Sequence, residues 1–267
     1  MRRRFFVEQF DGDRAVMEGE AAHHLGRVLR AERGQVYELS DGNRVWLARV
    51  EEVKRDRIGF SLVEELPTYR PAFQATLLLS IVKFDAFESA LEKATELGVC
   101  AIVPLAAARS EKALLTAAPK RFERWKKILL EASQQSRRLR IPTLIPLAKP
   151  EAAFSARSEN LKILLSERPT TASLRSILEK GAGWKPALQN GDIKSPLQTQ
   201  ALQKGAQVTT AVLAVGPEGG WTDAEFECGQ QQGFCEASLG RLILRTETAV
   251  IVALASLNYA FSGKESK

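Results

Sequence analysis

Sulfur and imidazole are scarce in this chain. Cys100, Cys228 and Cys235 are the only cysteines and His23 and His24 the only histidines among 267 residues. No two cysteines have Cys-x-x-Cys spacing, and the histidines are far from them in sequence. A zinc site is therefore not expected, and the odd cysteine count reads as buried thiols. Long hydrophobic runs are missing too. The longest, Ala249–Phe261, is interrupted by Ser256 and Asn258 and is too short to span a bilayer. The basic start, Arg2 to Arg4, has no apolar stretch behind it such as a secretory signal needs. A cytoplasmic protein with no membrane partner and no metal is expected. Neither nucleotide signature is present: no Gly-Lys-Ser/Thr follows a glycine-rich loop, and there is no G-x-G-x-x-G.

What the chain does contain is ordinary for a globular protein, 45% hydrophobic and 26% charged, and it is long enough for two modest domains. The formal net charge is +6, but it is unevenly placed. Residues 1–70 are balanced, whereas in 120–140 Lys120, Arg121, Arg124, Lys126, Lys127, Arg137, Arg138 and Arg140 face only Glu123 and Glu131. Such a cluster is either a solvated helix face or the footprint of a polyanion.

Residues 1–66 read as β-rich. Arg4–Val7, Gln35–Leu39, Val45–Val53 and Ile58–Val63 are separated by turn pairs such as Asp11-Gly12 and Asp41-Gly42. One helical segment, Glu20–Arg30, interrupts them, and the whole suggests a small barrel. A proline-bearing linker, Leu66–Pro71, follows. Beyond it strands alternate with helices. Ala75–Val82 is a continuous apolar run, as in a strand buried on both faces. A helix over Asp85–Leu97 has Phe87, Leu91 and Ala94 on one face and ends at Gly98. A helix over 119–138 opens with Pro119 in its first turn. Further strands are expected at Val99–Leu105, Thr143–Leu147, Leu161–Leu165, Ala211–Val215 and Phe234–Ser238, with helices near Thr171–Lys180, after a Thr222/Glu225 capping box, and over Glu247–Phe261. Segment 181–208 breaks this grammar and reads as a surface insertion. The alternation argues for an α/β fold with a mostly parallel sheet.

Four segments carry chemistry. Gly216-Pro217-Glu218-Gly219-Gly220 sits at the carboxyl end of an apolar strand, where open α/β sheets bind ligands. Its glycines allow close backbone approach, although a tight structural turn has the same composition. Leu239–Ala249, LGRLILRTETA, places Arg245 between an apolar tract and a helix start. A plain helix start with a solvated arginine would look alike. Glu131–Pro142, EASQQSRRLRIP, reads as a helix ending in arginines, suited either to the dipole or to phosphates. His23–Arg30, HHLGRVLR, would put His23, Arg27 and Arg30 on one face if helical.

Taken in chain order, with Lys93–Val99 (KATELGV) between His23–Arg30 and Glu131–Pro142, these segments resemble the RsmE family of 16S rRNA uracil-N3 methyltransferases. The GPEGG and LRTETA pair is the specific part, and the likeness spans nearly the whole chain. It implies an N-terminal PUA-like β-barrel domain, residues 1–70, and a SPOUT methyltransferase domain with a trefoil knot, residues 71–267, into which 181–208 is inserted. It also implies a homodimer, S-adenosyl-L-methionine as donor, and small-subunit 16S rRNA as substrate. The chain departs from the family at Gln134-Gln135, where Glu-Gln is common, in the tract Leu105–Lys112, and in the insertion.

On that resemblance the cofactor is held by backbone groups at three places: the strand end at Leu165, the loop bearing Gly216 and Gly220, and the segment with Leu239, Gly240, Leu244 and Thr246. Uridine N3 becomes nucleophilic only when its imide proton leaves. A cation that stabilises the developing charge is needed, and Arg245 is the candidate. Glu218 is the other candidate catalytic residue, better suited to partnering the donor's ammonium than to abstracting a proton. RNA contacts are expected from Arg4, His24, Arg27 and Arg30 in the first domain and from Arg137, Arg138 and Arg140 in the second. Alternatives are a SPOUT enzyme that methylates ribose 2′-O and a non-catalytic RNA-binding assembly protein.

Overall fold

The structure is a computed structural model that describes residues 3–69, 73–181 and 209–261. The insertion expected at 181–208 therefore lies, from residue 182 on, outside the described residues, as does the end of the linker. The chain divides into two compact units, Met1–Arg70 with Leu129–Pro142, and Pro71–Ile128 with Thr143–Lys267.

The first unit is built on six strands: β1 (Arg4–Phe6), β2 (Phe10–Asp11), β3 (Arg14–Glu18), β4 (Val36–Ser40), β5 (Val45–Val53) and β6 (Arg57–Leu66), in the order β1-β4-β5-β6-β3-β2. β1 and β2 occupy opposite edges, yet only Val7–Gln9 separate them. A flat sheet would hold those edges about 24 Å apart at about 4.8 Å per strand, whereas so short a connection spans at most roughly 14 Å. The sheet must curl. Phe5, Met17, Leu25, Leu39, Ile58 and Phe60 fill its interior. β2 and β3 form a hairpin through Gly12, at φ +57°. The turn pair is legible in the sequence, but the strand after it alternates so tersely (Ala15 and Met17 in, its other residues out) that its period does not mark it.

The helical segment Glu20–Arg30 is not one helix. α1 (Gly19–His23) passes into a π-turn, His24–Val28, closed by the Leu29 amide donating to His24 O at 3.1 Å. Arg30 then takes φ +53°. Wider winding and a left-handed stop break the 3.6-residue spacing, so His23, Arg27 and Arg30 do not share a helical face.

The second unit has a six-stranded sheet of β7 (Phe73–Ser80), β8 (Ala101–Leu105), β9 (Thr143–Leu144), β10 (Leu161–Leu165), β11 (Thr209–Val215) and β12 (Cys235–Ala237). The strands are all parallel, in the order β12-β10-β11-β7-β8-β9. Both faces are covered, which explains the unbroken apolar runs. On one face Leu78, Val103, Leu164, Val212 and Ala214 pack with Phe154, Trp221, Phe226 and Phe234. These aromatics come from α4 (Pro150–Ser155), from α6 (Asp223–Gln231) and from the segments flanking α6. α2 (Phe84–Glu96) packs against α7 (Thr246–Phe261), and the Asn258 amide donates to Leu97 O at 2.8 Å. α5 (Leu174–Gly181) starts later than the sequence suggested and also meets α7.

α3 runs from Lys112 to Gln135, so Pro119 lies inside it and not in its first turn. Lys112–Ala118 (KALLTAA) is a good helix former, and the helix tolerates the one bond Pro119 cannot donate. The helix stops before the arginines instead of ending in them. Arg137 takes φ +54° and the Arg138 amide donates back to Ser133 O at 3.0 Å, a Schellman-type termination without glycine.

Candidate active site

β10, β11 and β12 are neighbours, and their carboxyl ends lie level, with Leu164 opposite Ala214 and Leu165 opposite Ala237. The loops leaving these ends are tied to one another. The Trp221 indole N–H donates to Leu165 O at 3.1 Å. The Ser166 amide donates to Ala237 O at 2.9 Å. Thr246, buried at the start of α7, places its hydroxyl 3.5 Å from Gly216 O. Thus Leu165, Gly216 and Thr246, which are far apart in the chain, are brought together. Leu239, Gly240 and Leu244 lie in the segment that joins Ala237 to Thr246, and Ser238 Oγ braces it by donating to Gly240 O at 3.0 Å.

The glycines serve three different ends. Gly220 (φ +68°) and Gly240 (φ +136°) hold backbone conformations that side chains rarely adopt. A Cβ on Gly216 would stand 3.0 Å from Trp221 Nε1, so Gly216 leaves room for the indole. Gly219 abuts Arg109, where a Cβ would meet the arginine Cβ at 3.3 Å. Among the described residues, no acceptor meets the amides of Glu218 and Gly219, nor those of Thr246, Glu247 and Thr248 in the first turn of α7. Unspent amides from two adjoining segments make a surface that can receive carboxylate, ribose and base-edge oxygens or nitrogens.

Arg245 is exposed immediately before α7; its carbonyl accepts from the Ala249 amide at 2.8 Å, and its guanidinium has no partner among the described residues. Glu218 is exposed in the loop, four residues ahead of the Thr222 cap of α6. Leu242 and Ile243 are 82% and 80% exposed, an apolar tip flanked by Arg241 and Arg245.

Three supporting residues lie outside the expected site residues. Glu225, 3% exposed, accepts from the Ala108 amide at 2.8 Å and from the Thr222 amide and hydroxyl at 2.8 and 2.9 Å. The capping box was visible in sequence, but its tie to the loop after β8 was not. Arg168, in the loop after β10, lies 3.7 Å over the Phe226 ring and pairs with Asp223 and Glu236. Arg109 donates to the carbonyls of Gly219 and Trp221. Neither arginine belongs to a motif that spacing alone would flag.

The residues expected to touch RNA fall into two groups. His24 is half-buried, while Arg27 and Arg30 are exposed. By contrast, Arg4 is committed internally: it donates to the buried Glu38 carboxylate at 3.0 and 3.2 Å and to Arg137 O at 2.6 Å, and Arg137 reaches Glu38 at 3.6 Å. Arg138 donates to Arg140 O, and Arg140 to Gly42 O and Asn43. On α3, Arg121 and Arg124 converge on Glu88, at 3.6 and 2.8 Å.

Comparison with known proteins completes this picture. The RNA methyltransferase domain family matches residues 69–258, and the RNA methyltransferase PUA domain matches residues 18–62. The chain belongs to the RNA methyltransferase family. This methyltransferase is 33% identical over 241 residues to the ribosomal RNA small subunit methyltransferase E of Synechocystis sp., covering 88% of this chain and 70% of that protein. It is 31% identical over 252 residues to the protein of the same name from Aquifex aeolicus, covering 92% and 95%. Its fold is similar to the Neisseria gonorrhoeae ribosomal RNA small subunit methyltransferase E bound to S-adenosyl methionine, with a TM-score of 0.78, 28% identity and 98% of each chain covered. A SPOUT-type methyltransferase domain with an N-terminal PUA-like domain, the class expected from the sequence, is the fold of the methyltransferase. Among its described residues no helix is long and apolar enough to cross a membrane, and no group of three or more His, Cys, Asp or Glu is placed to hold a metal.

Proposed function

We propose that this methyltransferase carries a methyl group from S-adenosyl-L-methionine to N3 of a uridine in 16S rRNA of the small ribosomal subunit. It would act in the cytoplasm as a homodimer with a knotted SPOUT domain. One observation carries the reading: the loops after three adjacent parallel strands are joined through Trp221–Leu165 and Thr246–Gly216 and present amides that no other group among the described residues uses.

The residues fit the donor. Leu239, Gly240, Leu244 and Thr246 would hold its adenine through backbone groups, and Leu165, Gly216 and Gly220 would hold its ribose and methionine portions, with Glu218 facing the ammonium. When bound, S-adenosylmethionine supplies an electrophilic methyl on a positively charged sulfur. Arg245 would do the rest of the electrostatic work: its exposed guanidinium stabilises the negative charge that spreads over the uracil carbonyls as the N3 proton passes to water. Alignment of N3 with the methyl then needs only rigid loops, which the contacts above provide. Arg27, Arg30 and His24 would contact RNA directly. Arg4, Arg137, Arg138 and Arg140 would act mainly by shaping the surface on which RNA lies.

The test is incubation with small-subunit rRNA lacking the modification, followed by nucleoside digestion and mass spectrometry. The reading expects 3-methyluridine. A 2′-O-methyl nucleoside would instead assign a ribose-directed SPOUT enzyme, and no product with no donor binding would assign an assembly factor.

A further inference from the structure

We propose that Arg109 is a positioning residue that sets the shape of the 216–221 loop for the methyl donor; the inference rests on the functional reading above. Arg109 stands on a fixed base just past β8. Ala107 beside it is 1% exposed, the Ala108 amide donates to buried Glu225 at 2.8 Å, and Ser110 Oγ donates to Ile81 O at 2.7 Å. From this base a single nitrogen, Nη1, bridges Gly219 O at 2.9 Å and Trp221 O at 3.1 Å. The two carbonyls flank Gly220, whose φ of +68° is the conformation that turns both toward one cation.

Arg109 makes no ion pair with any carboxylate among the described residues, so charge pairing does not account for it. Two charge-assisted bonds to main-chain oxygens do two things. They fix the turn that presents the Glu218 and Gly219 amides, and they hold an exposed positive charge against it. An anionic carboxylate is the ligand group that such a loop favours, and the donor carries one, whereas rRNA is not expected to engage this loop. Loss of Arg109 should therefore weaken the donor selectively.

The test is steady-state kinetics and calorimetry on the full chain with S-adenosylmethionine, S-adenosylhomocysteine and rRNA. Arg109→Met keeps the stem and removes the donors. It should raise KM for S-adenosylmethionine and Kd for both adenosyl ligands about tenfold, leaving KM for rRNA within about twofold and kcat within about threefold. Arg109→Lys, with three donors on one nitrogen, should restore donor affinity to within about threefold. If Arg109→Met does not fold, Arg109→Gln, which is shorter and uncharged, carries the same comparison. Donor affinity unchanged in the variants would overturn the assignment. So would equal losses for donor, rRNA and kcat, the mark of a merely structural residue. A wild-type chain that binds neither adenosyl ligand would overturn the functional reading itself, and this inference with it.

Discussion

Gly216→Ala tests whether the loops of the site are coupled as described. The added Cβ would lie 3.0 Å from Trp221 Nε1, 3.1 Å from Cε2 and 3.3 Å from Cδ1, so the indole must move. It has little room: Trp221 is 4% exposed, its ring sits 5.8 Å from that of Phe154, and its N–H is committed to Leu165 O. Overpacking costs roughly 1–3 kcal/mol, and weakening a buried hydrogen bond adds about 1 kcal/mol. A total of about 2–4 kcal/mol corresponds to a fall in Tm of roughly 5–15 °C for a domain of this size. Because the displaced indole is the link to Leu165, donor affinity should fall with it. The assay is thermal unfolding with tryptophan fluorescence, run beside donor calorimetry. Gly59→Ala is the control: its φ is ordinary and its nearest neighbour would be Glu52 Cβ at 3.9 Å, so its Tm should stay within a few degrees. A Gly216→Ala protein as stable as this control, binding donor normally, would refute the reasoning.

Arg245→Ala should lower kcat about a hundred- to a thousandfold with donor Kd nearly unchanged; methylation rates close to wild type would remove Arg245 from the mechanism. Arg4→Met breaks a pair whose side chains are only 13% and 8% exposed, but Arg137 still reaches Glu38 at 3.6 Å, so the first unit should lose about 1–3 kcal/mol, short of the roughly 3–5 kcal/mol of a buried charge left wholly unpaired. Urea unfolding checks this, and a shift under 1 kcal/mol would show the pair to be idle. Substituting Arg27 and Arg30 together with alanine should flatten the slope of log K for RNA against log salt by roughly 0.7–0.9 per lost phosphate contact. The same pair changed on an unaltered slope would place the RNA elsewhere.

Periodicity found the parallel strands because burial on both faces writes continuous apolar runs such as Ala75–Val82, and it found α2 because Phe87, Leu91 and Ala94 fall on one side. Local rules failed where the chain leaves the regular repeat. Nothing in HHLGRVLR marks a π-turn, and Arg137 ends α3 in a left-handed conformation that sequence assigns to glycine. Proline at 119 reads as a boundary because its cost is local, whereas the helix runs through it from Lys112 to Gln135. At the site, the glycines and Arg245 were legible as motif members. Arg109, Arg168 and Glu225 were not, since each acts on a segment far away in the chain. Charge counting likewise showed basic residues but not their commitments: Arg4, Arg121 and Arg124 face Glu38 or Glu88.

The most direct test of the central claim is a crystal structure of the protein with S-adenosylhomocysteine. The account predicts the ligand across the carboxyl ends of β10, β11 and β12, its adenine against 239–246 and its amino-acid end against 216–220. A ligand seated away from those strand ends, or with those two segments parted around it, would contradict the account.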